Sequence, residues 1–441
     1  MKTLFALELK KLTKKRMNII VITVCLILAG ILFYLPVSQF IVLDTDGKQT
    51  SGMEAIAMDK EFSNSNAGKL TNEKIKADIA KYQALFDDPE NVSKDATQKS
   101  LNDSAYFKYF FPYSDYWKLI NGNYAAPYAY DSSFSAITNM DLENNFDFYA
   151  TRDEKVETLL NQEYDDWNFS DSEKTFWLNR VSSVSTPYEY SYHTGWETLL
   201  SCLELFVIGI IGICICVAGT FSGEYQSGAD SIILSSRYGK SKLVTAKILA
   251  AFVYSFLAFT LLILAGCGIL LLSFGIDGWN LPVQVLNTIA PYNLSLLGAT
   301  LLAIATLYLV MIGMVAITLL LSAKMKSSVP VLSIIILAMI LPMFLDISET
   351  NGIWNRILVL LPYRAAQPVF SDDFYGYFGY PLGGVTFDVV TVRMFVYAVI
   401  TLMCIPFVRK TWRKHQVAYY IKRKFNLWRR WCFWEVTDFI L

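Results

Sequence analysis

The chain has 441 residues, of which 54% are apolar and only 17% charged. That balance excludes an ordinary soluble globular domain and points to a multi-pass membrane protein. The net charge of −1 hides an asymmetry: residues 44–195 hold 26 acidic and 14 basic residues, a net of −12, so the remainder carries +11. The two parts are therefore expected to face different environments.

The N-terminal stretch LELKKLTKKR (Leu7–Arg16) leads into the apolar run Met17–Leu43. This run is too long for a signal-peptide core, and no small-residue cleavage site closes it. It reads as a retained first span, Met17–Phe40. A span needs about 20 mostly apolar residues. Five further segments qualify: Leu199–Thr220, Val244–Phe274, Leu294–Ser322, Val329–Leu345 and Phe387–Val408. The last has an uninterrupted apolar part of only Met394–Val408, so it spans only if Arg393 snorkels to an interface.

Between the first two spans lies a long insert, 44–195. It has no cysteine, and its size suits a domain with its own core. Within it, Ile75, Ile79, Tyr82 and Phe86 recur at helical spacing after Thr71, a capping residue. A second helix is expected over Ser170–Val181, opening on a cap-like Ser or Asp. The aromatic stretch Tyr106–Tyr130, broken by Pro112 and Pro127, can pack a core or contact an apolar ligand. The insert is thus mainly helical with irregular aromatic stretches. After the fifth span, Ile353–Leu361 is apolar but too short to span, and reads as a re-entrant or interfacial half-helix stopped by Pro362. The following Gly- and Tyr-rich stretch reads as an exposed loop. The tail from Arg409 to Leu441 alternates cations with aromatics. Nucleic acid is one partner such a pattern suits; directly after a span, anionic lipid headgroups suit it better.

Basic residues cluster before the first span (Lys10, Lys11, Lys14, Lys15, Arg16) and between the second and third (Arg237, Lys240, Lys242, Lys247). They recur between the fourth and fifth (Lys324, Lys326) and after the sixth (Arg409, Lys410, Arg413, Lys414). In a six-span layout all four clusters share one side. Both termini are then cytoplasmic and the insert extracellular. The fold class is an all-α integral membrane protein with an extracellular domain between helices 1 and 2. Its organisation is 1–43 basic N-terminal segment and first span, 44–195 insert, 196–408 remaining spans with outer half-helices near 353–368, and 409–441 tail.

No motif carries catalysis. RYGKSK (Arg237–Lys242) ends like a phosphate-binding loop, but Leu234 stands where that loop needs glycine. The chain holds two histidines, His193 and His415, and seven cysteines with no C-x-x-C pair. Cys25, Cys202, Cys214, Cys216, Cys267 and Cys404 read as small buried hydrophobes. The chain is expected to bind no metal or cofactor. Glu204 lies in the outer part of the second span, either as an intramembrane polar site or at headgroup level. Glu224 ends that helix after Gly223. Gly223, Gly228 and Gly239 then allow tight turns around a short surface helix, Ser231–Ser236.

This connection, 221–242, resembles that of exporter-type (type 2) ABC transporter permeases. Phe221-Ser222-Gly223-Glu224-Tyr225, Gly228, Ile233-Leu234-Ser235 and Lys247-Ile248-Leu249 match it. LELKKLTKKR resembles the family's amphipathic elbow, although Glu8 interrupts its apolar face. The large insert departs from the family's usual short first loop. The resemblance implies a coupling helix that docks a separate cytoplasmic ATPase through Gly223, Glu224, Gly228, Ser231, Ile232, Ile233, Leu234, Ser235 and Arg237. It implies that ATP and Mg belong to that partner and that a second permease copy, or a related permease, completes the pathway. The substrate expected is amphiphilic: a lipid, hydrophobic peptide or drug. The setting expected is a bacterial plasma membrane, with lipids as partners and no nucleic acid. The rival reading is a non-transporting signalling protein whose ectodomain binds a ligand or regulates an extracellular partner.

Overall fold

The computed structural model describes residues 1–94, 100–127, 134–143, 146–163, 168–345, 352–367, 369–370 and 376–415. The tail beyond His415, part of the aromatic stretch and part of the loop after the fifth apolar run lie outside the described residues.

The chain is mostly helical. Among the described residues, five helices are long and apolar enough to cross a membrane: Arg16–Ser38, Thr194–Ser227, Lys242–Phe274, Leu296–Lys324 and Val389–Lys414. They are called here the first, second, third, fourth and last long helices. The expected span Val329–Leu345 forms a shorter apolar helix, Ser328–Ile340, closed by a tight turn at Leu341–Phe344. Thirteen residues rise about 20 Å and the turn adds about 8 Å, against a hydrocarbon core of about 30 Å.

The fourth long helix is central, packing most extensively on the last and second. Close approach depends on glycine: a Cβ on Gly313 would fall 2.7 Å from the ring of Tyr397, the small-residue packing that membrane bundles favour. The N-terminal elbow helix, Lys2–Lys14, lies against the third long helix. It turns into the first at Lys15, where buried Asn18 donates from Nδ2 to the Leu12 carbonyl at 3.0 Å.

The insert is built from helices Met53–Ser65, Asn72–Ala84, Ser114–Tyr124, Phe148–Asn161 and Asp171–Ser182. Two small antiparallel strand pairs accompany them, Ile41–Leu43 with Gln49–Ser51 and Gly68–Lys69 with Glu189–Tyr190. Thr71 caps Asn72–Ala84 by accepting the Lys74 N–H. Ser170 and Glu173 form a reciprocal capping box on Asp171–Ser182. The aromatic stretch coils through Tyr106–Phe110 and Phe111–Tyr113 into Ser114–Tyr124.

The insert is docked on the loops of the bundle. Tyr188 Oη donates to the Thr288 carbonyl at 3.1 Å, and Tyr192 Oη to that of Phe274 at 2.9 Å. Glu173, with 0% of its surface exposed, accepts from Ser170 and pairs with Arg356 at 3.3 Å. Arg356 belongs to the first of two short helices, Ile353–Leu358 and Pro362–Ala365.

Two expectations need correction. The Gly- and Tyr-rich stretch contains a hairpin, Gly379–Leu382 with Val385–Asp388. Gly383 and Gly384 both have positive φ, the geometry a two-residue hairpin turn requires. Arg393 does not snorkel. It is buried, and donates to the carbonyls of Val359 (3.0 Å) and Gln367 (2.8 Å) around the two short helices. Its charge is satisfied inside the protein, so the last helix starts at Val389 with Asp388 as N-cap and runs on to Lys414.

Candidate functional site at the basic end of the bundle

The second long helix does not stop at Gly223-Glu224. It continues to Ser227 and ends on Gly228, whose φ of 69° is left-handed. A Cβ is disfavoured in that conformation, so glycine is the residue that lets the chain reverse here. A short helix follows at once over Ala229–Ser235, two residues earlier than the expected Ser231.

The side chains of this helix divide sharply. Leu234 is buried and Ile233 partly so, packed on the bundle core. Ile232 points away and is 75% exposed. Ser231 and Ser235 bond back to the carbonyls of Gly228 (2.8 Å) and Ile232 (2.8 Å). Arg237 is exposed, its guanidinium 5.3 Å from the centre of the Tyr238 ring. Gly223 has open space where a Cβ would stand.

The turn after the helix is clamped by the last long helix. Trp412 Nε1 donates to the Gly239 carbonyl at 3.0 Å, and Arg413 Nε to that of Lys240 at 2.9 Å. A Cβ on Gly239 would overlap the Ile233 carbonyl. The Tyr225 ring stacks on Trp412 and on His415, and His415 Nε2 lies 3.0 Å from Asp230.

Glu224 faces the interior. It accepts from Lys247 Nζ at 2.7 Å, with Lys11 at 3.5 Å. Lys247 is 2% exposed. It also reaches Glu8 at 3.1 Å and the Thr220 carbonyl at 3.3 Å. Lys11 and Glu8 are 3.1 Å apart. Two cations and two carboxylates thus form a closed, neutral quartet joining the elbow, second and third helices. Glu8, which seemed to spoil the elbow's apolar face, is there for this pairing. A lysine in an apolar run, as Lys247 is, needs a partner; that was the available signal. No local signal ties Trp412, Arg413 or His415 to this turn and Asp230, because the contacts span about 170 to 185 positions.

Glu204 stands apart, at the insert end. It lies in a tight turn, Leu203–Leu205, within the second helix and accepts from Gln367 Nε2 at 3.0 Å. The structure does not bring it near the other site residues.

The described residues thus present a rigid, short helix with one bare apolar residue, held between two membrane-length helices. A family model described as ABC-2 family transporter protein matches residues 3–405. Neither a curated protein nor a solved structure matches the chain.

Proposed function

This chain belongs to the ABC-2 transporter family, and on that premise we propose that it is the membrane-spanning subunit of an ATP-driven exporter. The chain spans the membrane six times, Ser328–Phe344 included, with both termini cytoplasmic and the insert outside. ATP and Mg are bound by separate cytoplasmic ATPase subunits, and a second permease copy completes the pathway. The cargo is amphiphilic.

The observation that carries this reading is Ile232. A bare isoleucine on a seven-residue helix loses apolar contact with nothing inside its own chain, and burying it against a partner is worth about 1.5–3 kcal/mol. The helix under it is fixed by Leu234, the Gly239 turn and Trp412, so a force on Ile232 is transmitted to both flanking long helices. Glu224 serves this mechanism from within, as part of the quartet that holds those helices together.

The test is co-purification of the Ile232→Asp chain with its ATPase. Insertion should be normal, because the side chain touches water in the free chain. ATPase recovery should fall at least tenfold, and substrate stimulation of ATP turnover should vanish. Recovery equal to the parent would remove Ile232 from the docking surface.

A further inference from the structure

The insert contains a cavity of about 320 Å3 beside the chain leaving the first long helix, lined among others by Phe40 and Val42. This volume is at the lower end of small-molecule sites. Its wall is aromatic: Phe62 pairs with Tyr113 at 5.8 Å between ring centres, and Tyr106 with Phe110 and Phe111 at 5.3 and 5.9 Å. Among the described residues, three ionisable side chains besides the tyrosines line it, Asp59, Asp115 and Lys118. Asp115 and Lys118 neutralise each other at 2.8 Å.

Asp59 is left as the unbalanced charge. It is 9% exposed, and Thr194 Oγ1 donates to its Oδ2 at 2.6 Å. A carboxylate held in an aromatic wall costs stability unless something cationic meets it. Aromatic faces attract cations, and most strongly ammonium groups that are weakly hydrated.

We propose that this cavity binds the cationic end of an amphiphilic small molecule, a quaternary or protonated amine on an apolar body, with Asp59 as counter-ion and the Phe62, Tyr106, Phe111 and Tyr113 rings as its walls. The cavity narrows the amphiphilic cargo class of the permease reading, on which its purpose rests, to cations. Burial pushes the Asp59 carboxyl up to about 6; Asp115 and Glu197 push the same way, Thr194 and His193 against. The site is therefore charged at pH 7.4 and largely neutral at pH 5.

The experiment is equilibrium dialysis of labelled benzyltrimethylammonium against the full chain in lipid nanodiscs, without ATPase. Saturable binding of one cation per chain is expected. It should weaken about tenfold from pH 7.4 to pH 5 and at least tenfold in Asp59→Asn, which keeps a side-chain acceptor for Thr194. Phe62→Leu should weaken the cation and leave benzyl alcohol unaffected. Benzenesulfonate should not compete. Absence of saturable binding, equal binding by the sulfonate, or unchanged affinity in Asp59→Asn would overturn the proposal. Such a failure leaves ATPase co-purification through Ile232 intact, so it is distinguishable from failure of the permease reading.

Discussion

Replacing Lys247 with methionine tests whether the ionic quartet holds the elbow and the second and third helices as one unit. The parent cluster is neutral. Without Lys247, Glu8 and Glu224 share only Lys11, which lies 3.1 and 3.5 Å away and is half exposed. Breaking a buried pair by removing one partner costs about 3–5 kcal/mol. Lys11 remains, and Glu224 retains 16% of its side-chain surface in solvent, so the lower end, about 3 kcal/mol, is expected. Lys247→Met with Glu224→Gln restores neutrality and leaves Glu8 with Lys11. The double variant should therefore recover about 2 kcal/mol relative to additivity, a coupling typical of contacting charges. The assay is a double-mutant cycle on thermal unfolding of the purified chain in nanodiscs. Strict additivity, or a Lys247→Met chain as stable as the parent, would show that the four groups act as independently solvated charges and would refute the quartet as a structural element.

Three further outcomes are expected. Gly239→Ala should displace the turn from the Ile233 carbonyl, loosen the short helix and reduce ATPase co-purification without loss of insertion, because only a surface turn is rearranged. Glu173→Ala leaves Arg356 buried without its carboxylate; a cost of about 3 kcal/mol or more should appear as faster proteolysis of the insert. For Asp59, the folded pKa of about 6 exceeds the unfolded 3.8. Ionisation therefore opposes folding: stability should fall as pH rises from about 4 to 6, by up to ~3 kcal/mol at pH 7, and Asp59→Asn should flatten that slope in melting curves.

The long apolar helices were legible because membrane crossing imposes one compositional rule, and only their ends were misplaced. The second helix runs past its expected end through Glu224, which Lys247 satisfies, and Arg393 lies inside the last helix, satisfied by two carbonyls. A sequence shows a charge in an apolar run but not its partner 23 or 34 positions away. The short surface helix was legible from Gly228, whose positive φ sets its start. The hairpin at Gly379–Asp388 was equally available from Gly383-Gly384 between apolar residues, but aromatic and glycine content made the stretch resemble an open loop. The insert was read as a helix-rich unit in its own right. Its helices are present, yet Glu173 and Tyr188 are completed by residues 183 and 100 positions away, contacts no local pattern encodes.

The third long helix connects the two sites. It carries Lys247 near its start and ends at Phe274, 33 residues that rise about 50 Å. At its far end Tyr192 donates to the Phe274 carbonyl, while the Tyr192 N–H reaches Asn64 on the helix that carries Asp59. Lys60, next to Asp59, pairs with Asp277 at 2.6 Å just beyond the helix. These two links differ in strength. The Lys60–Asp277 pair is about half exposed, and such pairs contribute about 0–1 kcal/mol. Tyr192 is 1% exposed, and removing its hydroxyl strands a buried carbonyl at a cost of about 1–3 kcal/mol. If occupancy of the Asp59 cavity reaches the ATPase along this helix, Tyr192→Phe should abolish stimulation of ATP turnover by benzyltrimethylammonium while leaving cation binding and ATPase assembly intact. Lys60→Met should change stimulation little. Full stimulation in Tyr192→Phe would mean that the third helix does not carry the signal, whatever the fate of either site.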